Sequence, residues 1–254
     1  MISPELSIVI PCKSENDPQL KDLLRSIKEQ FFYPASRYEV IVVTEGNSEQ
    51  AKAIGILKAK GSIIGLFCSD NYLRDKNLLS SAMWHCSYPE VTGVYTAQYD
   101  YVRSDKALSR YFALLGANDP LCWWLGKADR LSYLDESKYG IVEFKDQIPS
   151  IGDNGFFVKR SALDKVAINP NTHFPMDICE DLRRVGEYTY WLIPDKVWHK
   201  SGESILDYFR RRYVYTRDLY FRQKQKRRWH MVGSGEWINV LLFALSSICV
   251  LPHL

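Results

Sequence analysis

Short apolar runs and amphipathic stretches alternate over the first third of the chain. Three runs are apolar and short enough to be buried strands: Leu6–Pro11, Glu39–Val43 and Ser62–Phe67. Between the first two, apolar side chains recur at the spacing of one helix face: Leu20, Leu23, Leu24 and Ile27. The order strand, helix, strand, helix, strand predicts a βαβαβ unit, whose crossovers make the strands parallel and cover both faces of the sheet.

Polar residues follow each predicted strand directly. They form the segments Pro11–Glu15, Thr44–Asn47 and Cys68–Asn71, and Ser48 is expected to cap the second helix. In sheets of this kind, ligands bind beyond the carboxyl ends of the strands. We therefore expect the three segments to converge on one site.

The rest of the chain gives a coarser pattern. Strands are predicted at Val91–Gln98 and Tyr188–Leu192, and a helix at Leu108–Leu115. The turn Gly152–Gly155 interrupts an apolar stretch and is a place where backbone approaches a ligand closely. The adjacent residues 123 and 124 are both tryptophan; we expect them to pack in the core, with a lip that contacts an acceptor or a membrane as the alternative.

Composition excludes some classes of protein but does not identify a function. The 254 residues are 46% hydrophobic and 25% charged, which is ordinary for a globular chain and excludes wholesale disorder or a collagen-like fibre. The six cysteines form no CxxC pair and no metal-binding spacing, which favours a reducing cytosol. Glu5 interrupts the N-terminal apolar run, so no signal peptide is expected.

Charge separates the chain into an acidic body and a basic tail. Residues 208–230 carry nine basic side chains and one acid, and residues 231–254 carry only Glu236, so residues 1–207 sum to −4 within a total of +3. Trp237–Leu251 then has fifteen residues without a charge, fewer than the roughly 20 that span a bilayer. The tail predicts association with an anionic membrane surface, as a surface or re-entrant helix or a truncated span. The alternative is a buried helix beside a solvated charged face; nucleic acid is not expected.

Aromatic side chains are interleaved with these basic residues, as in interfacial membrane anchors. They are Tyr213, Tyr215, Tyr220, Phe221, Trp229 and Trp237.

Seven segments, taken in order, resemble the motifs of family 2 glycosyltransferases with the GT-A fold. They are Leu6–Glu15, Glu39–Ser48, Ala51–Gly61, Ile64–Asp70, Gly152–Gly155, Cys179–Asp181 and Val197–His199. The resemblance covers roughly residues 5–215. It implies an α/β, Rossmann-like and mostly parallel sheet flanked by helices, followed by a basic and apolar membrane-associating segment.

The resemblance also implies roles for individual residues. Asp181 stands where the family has its catalytic base, with Glu180 beside it to orient it or to bind the acceptor. Asp70 and His199 stand where a metal would be held, and Trp123, Asn154 and Gly155 are expected near the acceptor. The residues expected to bind the nucleotide-sugar donor are Pro11, Lys13, Glu15, Glu45, Lys52, Ser69 and Asp70.

Four positions depart from the family pattern. Thr44 replaces an acid of the second-strand motif, Lys52 conservatively replaces Arg, Ala53 replaces Asn, and Cys68 replaces the first Asp of the DxD metal motif. A hard cation such as Mg²⁺ or Mn²⁺ needs only one or two carboxylates when donor phosphates complete its shell, so Asp70 can suffice. The alternative is a weak or absent metal, with Lys13 or Lys52 neutralising the phosphates.

Each motif also has a purely structural interpretation. Glu180–Asp181 is typical of charges near a helix N-terminus, Asp70 of a turn, and His199 of a buried structural histidine. Gln225–Trp229 matches the QxxRW motif of processive polysaccharide synthases, but a chance match is favoured in a segment so rich in Arg and Lys.

The sequence thus predicts a GT-A domain over 1–207, with a donor-binding half (1–100) and an acceptor half (101–207), and a membrane-associating segment over 208–254. The expected activity is inverting transfer of a sugar from a nucleotide diphosphate, UDP favoured, to a lipid-linked or glycan acceptor at the cytoplasmic membrane face. The expected attachment is peripheral or through the C-terminus. The alternatives are a truncated processive polysaccharide synthase and a non-catalytic binding protein of the same fold.

Overall fold

One mixed sheet organises the chain. The computed structural model describes residues 4–31, 34–116, 120–128, 130, 139–200, 204–221, 226–233 and 235–250. The strands are β1 (Leu6–Pro11), β2 (Tyr38–Val43), β3 (Ile63–Leu66), β4 (Asn71–Tyr72), β5 (Gly93–Asp100), β6 (Gly140–Glu143), β7 (Phe156–Lys159) and β8 (Thr189–His199). They pair in the order β2-β1-β3-β7-β5-β8-β4, and β6 also pairs with β8.

Helices connect and cover these strands. They are α1 (Pro18–Lys28), α2 (Ser48–Lys58), α3 (Leu78–Cys86), α4 (Ala107–Leu115), α5 (Pro120–Trp124), α6 (Arg160–Leu163), α7 (Pro175–Arg184), α8 (Ile205–Tyr215) and α9 (Trp237–Val250). A 3₁₀ turn covers Ala35–Arg37, and a π-helical turn, Thr216–Phe221, follows α8.

The predicted βαβαβ unit is confirmed, since β1 pairs in parallel with both β2 and β3. Close packing holds α2 on the sheet: a Cβ at Gly55 would lie 2.3 Å from a methyl of Val9. The predicted cap was wrong by one residue. Asn47, not Ser48, caps α2, because its extended backbone lets Oδ1 accept the amides of Glu49 and Gln50.

The prediction of a mostly parallel sheet was wrong. Four of the seven strand pairings are antiparallel: β3–β7, β4–β8, β5–β7 and β6–β8. The expectation assumed that helical crossovers continue beyond the first three strands. β7 instead follows the Gly152–Gly155 turn at the carboxyl end of β3, so it runs back against that strand.

Two apolar layers cover the sheet. On one face, α1 and α3 pack through side chains such as Leu23 and Leu78. On the other, α2, α6 and α7 pack through Ile56, Leu163 and Leu182. The second layer fixes α7, and therefore Glu180 and Asp181, against the sheet.

The C-terminal helices leave much apolar surface exposed. The large exposed side chains are Ile205, Leu206, Phe209, Tyr213 and Val214 on α8, and Trp237, Ile238, Leu241, Leu242 and Leu245 on α9. Among the described residues, no helix combines the length and apolar character needed to cross a bilayer.

Two expectations about tryptophans were wrong. Trp123 and Trp124 are 41% and 42% exposed rather than packed in the core. Their helix α5 lies against α9, where the Trp124 ring centroid is 5.8 Å from that of Phe243. Trp229, expected as an interfacial anchor, is buried because its indole Nε1 donates to the Ile148 carbonyl and its ring joins the core.

Candidate active site

Two segments meet at the carboxyl end of β3. The Gly155 amide donates to the Leu66 carbonyl at 2.9 Å, so the turn before β7 lies beside the loop after β3. The Asn71 side-chain amide donates to Asn154 Oδ1 at 3.0 Å, and Cys68 Sγ lies 3.4 Å from the carboxylate of Asp153. Cys68 and Asp153, which are 85 positions apart in the chain, thus line the same wall of the candidate site.

A buried charge cluster lies behind this wall. The Lys52 ammonium, whose side chain is 3% exposed, pairs with Asp153 and with Glu49 Oε1 at 3.2 Å. Burial disfavours a charged lysine, but the two carboxylates outweigh it and raise the pKa of Lys52 well above its ordinary value. Burial, and then the charge of Asp153, raise the pKa of Cys68, so its thiol stays protonated.

Asp153 was missed at the sequence level. The turn Gly152–Gly155 had been singled out, but only Asn154 and Gly155 were chosen from it as site residues. The available signal was an acid directly after Gly152, in a turn that Gly155 closes. Its partner Lys52 lies about a hundred residues earlier in the chain, so spacing alone does not reveal the pair.

The predicted metal residues Asp70 and His199 lie together. Asn71 is in register with His199 across β4 and β8, which places Asp70 Oδ2 3.3 Å from His199 Nε2. Burial opposes protonation of His199, but the charge of Asp70 and its hydrogen bond outweigh burial and raise the pKa of the imidazole. Asp70 Oδ1 is buried and has no hydrogen-bond partner among the described residues.

This arrangement fits a divalent cation held jointly with a ligand. Within the described ranges, no three acidic, histidine or cysteine side chains are grouped as a ready-made metal cage. A cation at Asp70 and His199 would therefore need further oxygen ligands from a bound phosphate, as Mg²⁺ and Mn²⁺ often do. The unpartnered Asp70 oxygen is the kind of atom that such an ion would satisfy.

The turn before β7 is shaped for close packing. Gly155 has φ +89°, and a Cβ there would lie 2.7 Å from a Val197 methyl. Asn154, at φ 53°, contacts Asn71 and also donates to the Tyr99 hydroxyl at 3.3 Å. The buried Arg130 donates to its carbonyl. The Asn154 side chain thus shapes the turn through two protein partners.

Helix α7 carries three carboxylates in different surroundings. Asp177 and Asp181, four residues apart, share one face of the helix. Asp177 is fully buried and pairs with Arg227 at 2.9 Å, and Asp181 Oδ1 lies 2.6 Å from Arg228 Nε. Glu180 instead accepts hydrogen bonds from two arginines of α7 itself, which outweigh burial and lower its pKa.

Residues 226–229 pack onto α7 rather than facing solvent. Arg228 and Trp229 donate backbone amides to Asp177 Oδ1, each at 2.8 Å, and the Arg227 side chain is almost wholly buried. Their pairing with protein carboxylates corrects the expectation that this whole basic stretch serves a membrane. Gln225 lies outside the described residues. Arg227 and Arg228 are site residues that sequence reasoning missed.

His173 lies just before α7 as a buried neutral group. Neither ring nitrogen has a hydrogen-bond partner in the part of the chain that the structure describes. Burial, assisted by the nearby cations of Lys52, Arg227 and Arg228, lowers the pKa of His173 to about 3. Its ring is therefore uncharged at neutral pH.

Comparison with known proteins gives structural neighbours only. No protein-family model and no curated protein matches the chain. A mannosyltransferase, PcManGT from Pyrobaculum calidifontis in complex with GDP-Man and Mn²⁺, is 14% identical with a TM-score of 0.56 and covers 89% of this chain. TarS from S. aureus is 14% identical, with a TM-score of 0.51 and 87% coverage. GalNAc-T7 with UDP, GalNAc and Mn²⁺ is 13% identical, with a TM-score of 0.51 and 78% coverage.

The fold is GT-A-like. This mixed sheet with its flanking helices matches that of the glycosyltransferase neighbours. The chain spans 65% of the mannosyltransferase structure, 41% of TarS and 43% of GalNAc-T7. At these identities, the likeness concerns the fold.

Within the GT-A-like fold, the other predicted donor residues differ in position. Pro11 ends β1 and is buried, Lys13 and Glu15 lie exposed in the next loop, and Ser69 is half-buried beside Asp70. Glu45 is exposed and pairs with Lys58 at 3.3 Å. Trp123, predicted near the acceptor, lies on α5 beside α9.

Proposed function

We propose that this protein is a glycosyltransferase that transfers a sugar, with inversion, from a nucleotide diphosphate donor to an acceptor. The observation that carries the proposal is the unpartnered buried oxygen of Asp70 beside His199, at the carboxyl end of β3 in a GT-A-like fold. Two neighbours of this fold were solved with a nucleotide or nucleotide-sugar and Mn²⁺. UDP is the favoured nucleotide, and GDP is the alternative that the test below distinguishes.

Asp70 and His199 would hold the divalent cation together with the donor phosphates. A bound cation would neutralise the charge that develops on the leaving diphosphate. Lys52 is less suited to that role, because Glu49 and Asp153 already compensate its charge. The pairing of Lys52 therefore favours metal dependence over direct neutralisation by this lysine.

Asp181 is the proposed general base. In an inverting transfer, one carboxylate takes the acceptor's proton as the acceptor attacks the sugar. Arg228 engages Oδ1 of Asp181, which orients the carboxylate and leaves Oδ2 to receive the proton. Glu180 is fully engaged by arginines of its own helix, so we assign it a positioning role.

The acceptor is proposed to be a lipid-linked glycoconjugate or a glycan at the cytoplasmic membrane face. The support is the surface of the C-terminal helices, where apolar side chains such as Leu206, Phe209 and Leu241 stand exposed beside several arginines. Apolar burial and attraction to anionic lipids act together on such a surface. Association would be peripheral or through the C-terminus.

Calorimetric titration tests the donor site. The full chain is titrated with UDP and with GDP, each with and without Mn²⁺, in the wild type and in Asp70→Ala. The expected result is metal-enhanced binding of one nucleotide that is lost in Asp70→Ala. Absence of binding to either nucleotide under all four conditions would refute the transferase proposal.

A non-catalytic binding protein of the same fold is the second candidate. Cys68, which stays protonated in place of the first DxD acid, and the Asp181–Arg228 pair are the observations that favour it. This candidate predicts nucleotide binding that is independent of metal, and no turnover with any sugar donor.

A truncated processive polysaccharide synthase is the third candidate. The packing of Arg227, Arg228 and Trp229 onto α7 favours it, because it brings part of the QxxRW-like segment to the proposed base. It predicts a polymeric product, which sizing of radiolabelled product distinguishes from a single transfer.

A further inference from the structure

A pocket of about 730 Å³ lies between the loop after β1, the start of α2 and one face of α8. That volume is within the range of small-ligand sites, roughly 300–1,000 Å³. Residues 207, 210, 211, 214, 215 and 218 recur at the spacing of one helix face, so one side of α8 and its π-helical continuation faces the pocket. The apolar residues Leu206, Phe209 and Tyr213 share a different side of the helix, which is exposed.

The acids of this pocket have partners. Glu49 pairs with Lys52 at 3.2 Å, and Asp218 pairs with Arg217 at 2.8 Å. Asp207 Oδ2 accepts the Ser204 hydroxyl at the start of α8. Glu49 and Asp218 are therefore paired with cations outside the pocket lining, whereas the hydroxyl that binds Asp207 leaves its negative charge in place.

The cations of the pocket have no such partners. Lys13, Arg210 and Arg211 all line it, and none of their side chains forms an ion pair or hydrogen bond with another of the described residues. The helix end contributes little, because Asn47 already accepts the amides of Glu49 and Gln50. The three cations lie on two separate elements, and Asp207 is the acid of the lining for which no cation partner is found among the described residues.

We propose that this pocket binds the phosphate of a phosphoester through Lys13, Arg210 and Arg211. A guanidinium group can donate two parallel hydrogen bonds to the oxygens of a phosphate, and the lysine ammonium adds a compact positive charge. The phosphate belongs either to the nucleotide diphosphate donor or to a lipid-linked acceptor. Phosphate binding stands without the transferase proposal, but assignment of the donor as its source rests on that proposed function.

The two sides of α8 would then have different roles. Arg210 and Arg211 face the pocket, while the apolar side of the same helix faces outward. Helix α8 would then join ligand binding to membrane contact.

Binding measurements on the full chain test the proposal. The probes are inorganic pyrophosphate, UDP, GDP and phosphatidylcholine vesicles with and without a polyprenyl phosphate. The variants are Arg210→Gln, Arg211→Gln and Lys13→Gln. Lys21→Gln removes one positive charge from an exposed position of α1, a helix that does not line the pocket, and serves as the matched control. Each pocket variant should weaken binding about tenfold, and the control less than about twofold.

The outcomes separate the two phosphate sources. Parallel weakening for pyrophosphate and a nucleotide assigns the donor, and weakening for the lipid phosphate alone assigns the acceptor. Pyrophosphate binding with no binding of UDP or GDP supports the pocket while contradicting the donor proposal. Wild-type affinity in all three pocket variants, or no binding of any probe to the wild type, would overturn the pocket. Unchanged thermal unfolding and rescue by Arg210→Lys show that the variants remain folded.

Discussion

The carboxylates of helix α7 have arginine partners, whereas the carboxylate of Asp70 does not. Asp177, Glu180 and Asp181 each have at least one arginine partner. Among the described residues, the carboxylate of Asp70 has His199 as its one partner, at 3.3 Å, and its second oxygen is buried without a hydrogen bond. A carboxylate with permanent partners fixes structure, whereas a buried oxygen without one marks a place for a ligand.

The sharpest test within α7 compares catalysis with binding. Asp181→Asn should lower turnover by about a hundredfold to ten-thousandfold, because the amide cannot accept the acceptor's proton. Nucleotide affinity should change little, since Asp181 is not assigned to the donor site. Steady-state rates and calorimetric titration on the same sample separate the two effects. Near-wild-type turnover would remove Asp181 from the base role.

The stability of α7 should depend most on Asp177. Asp177→Ala leaves Arg227 buried without its counter-charge, which typically costs about 3–5 kcal/mol in the free energy of unfolding. Urea unfolding measures the loss, and Asp181→Ala is the matched comparison because that carboxylate is partly exposed. Equal losses in both variants would mean that burial does not distinguish the two pairs.

His173 should make the fold sensitive to acid. Its pKa is about 3 in the folded protein and about 6.5 in the unfolded chain, so between these values the unfolded chain binds the proton more readily. The free energy of unfolding should therefore fall as pH falls below about 6.5, by up to about 1.4 kcal/mol per pH unit.

Unfolding measured at several pH values checks this slope. In His173→Asn, which has no titrating ring, the slope should be smaller by that amount. An identical slope in wild type and variant would show that other groups cause the acid sensitivity.

The smallest effect is expected for the exposed pair of Glu45 and Lys58. Water screens these charges, so Lys58→Gln should change the free energy of unfolding by less than about 1 kcal/mol. Lys52→Gln, which disrupts the buried cluster, should cost several times more. Urea unfolding of the two variants side by side provides the comparison.

The sequence was most informative where the interactions are local. The βαβαβ unit follows from apolar periodicity within about 60 residues, and the strand-end loops follow from it. Periodicity carries no information about strand direction, so it did not predict that β7 pairs antiparallel with β3. The cap at Asn47 was missed because adjacent Asn47 and Ser48 are both good capping residues.

The candidate site was predicted only in part, because its main contacts are distant in sequence. Asp70 and His199 were identified by resemblance and lie together. Asp153, Asp177 and Arg228 act through partners that lie about fifty or more residues away. Only the folded chain brings these charges together.

The attachment of Trp229 and Arg227 to helix α7 bears on where the protein ends as a folding unit. A chain cut at residue 207 would retain every strand of the sheet but leave Asp177 buried with its negative charge unopposed. It would also uncover the cavity that the indole fills against Ile148. Residues 226–229 therefore belong to the same folding unit as the sheet, and a boundary placed at residue 207 from charge alone would separate side chains that are buried together.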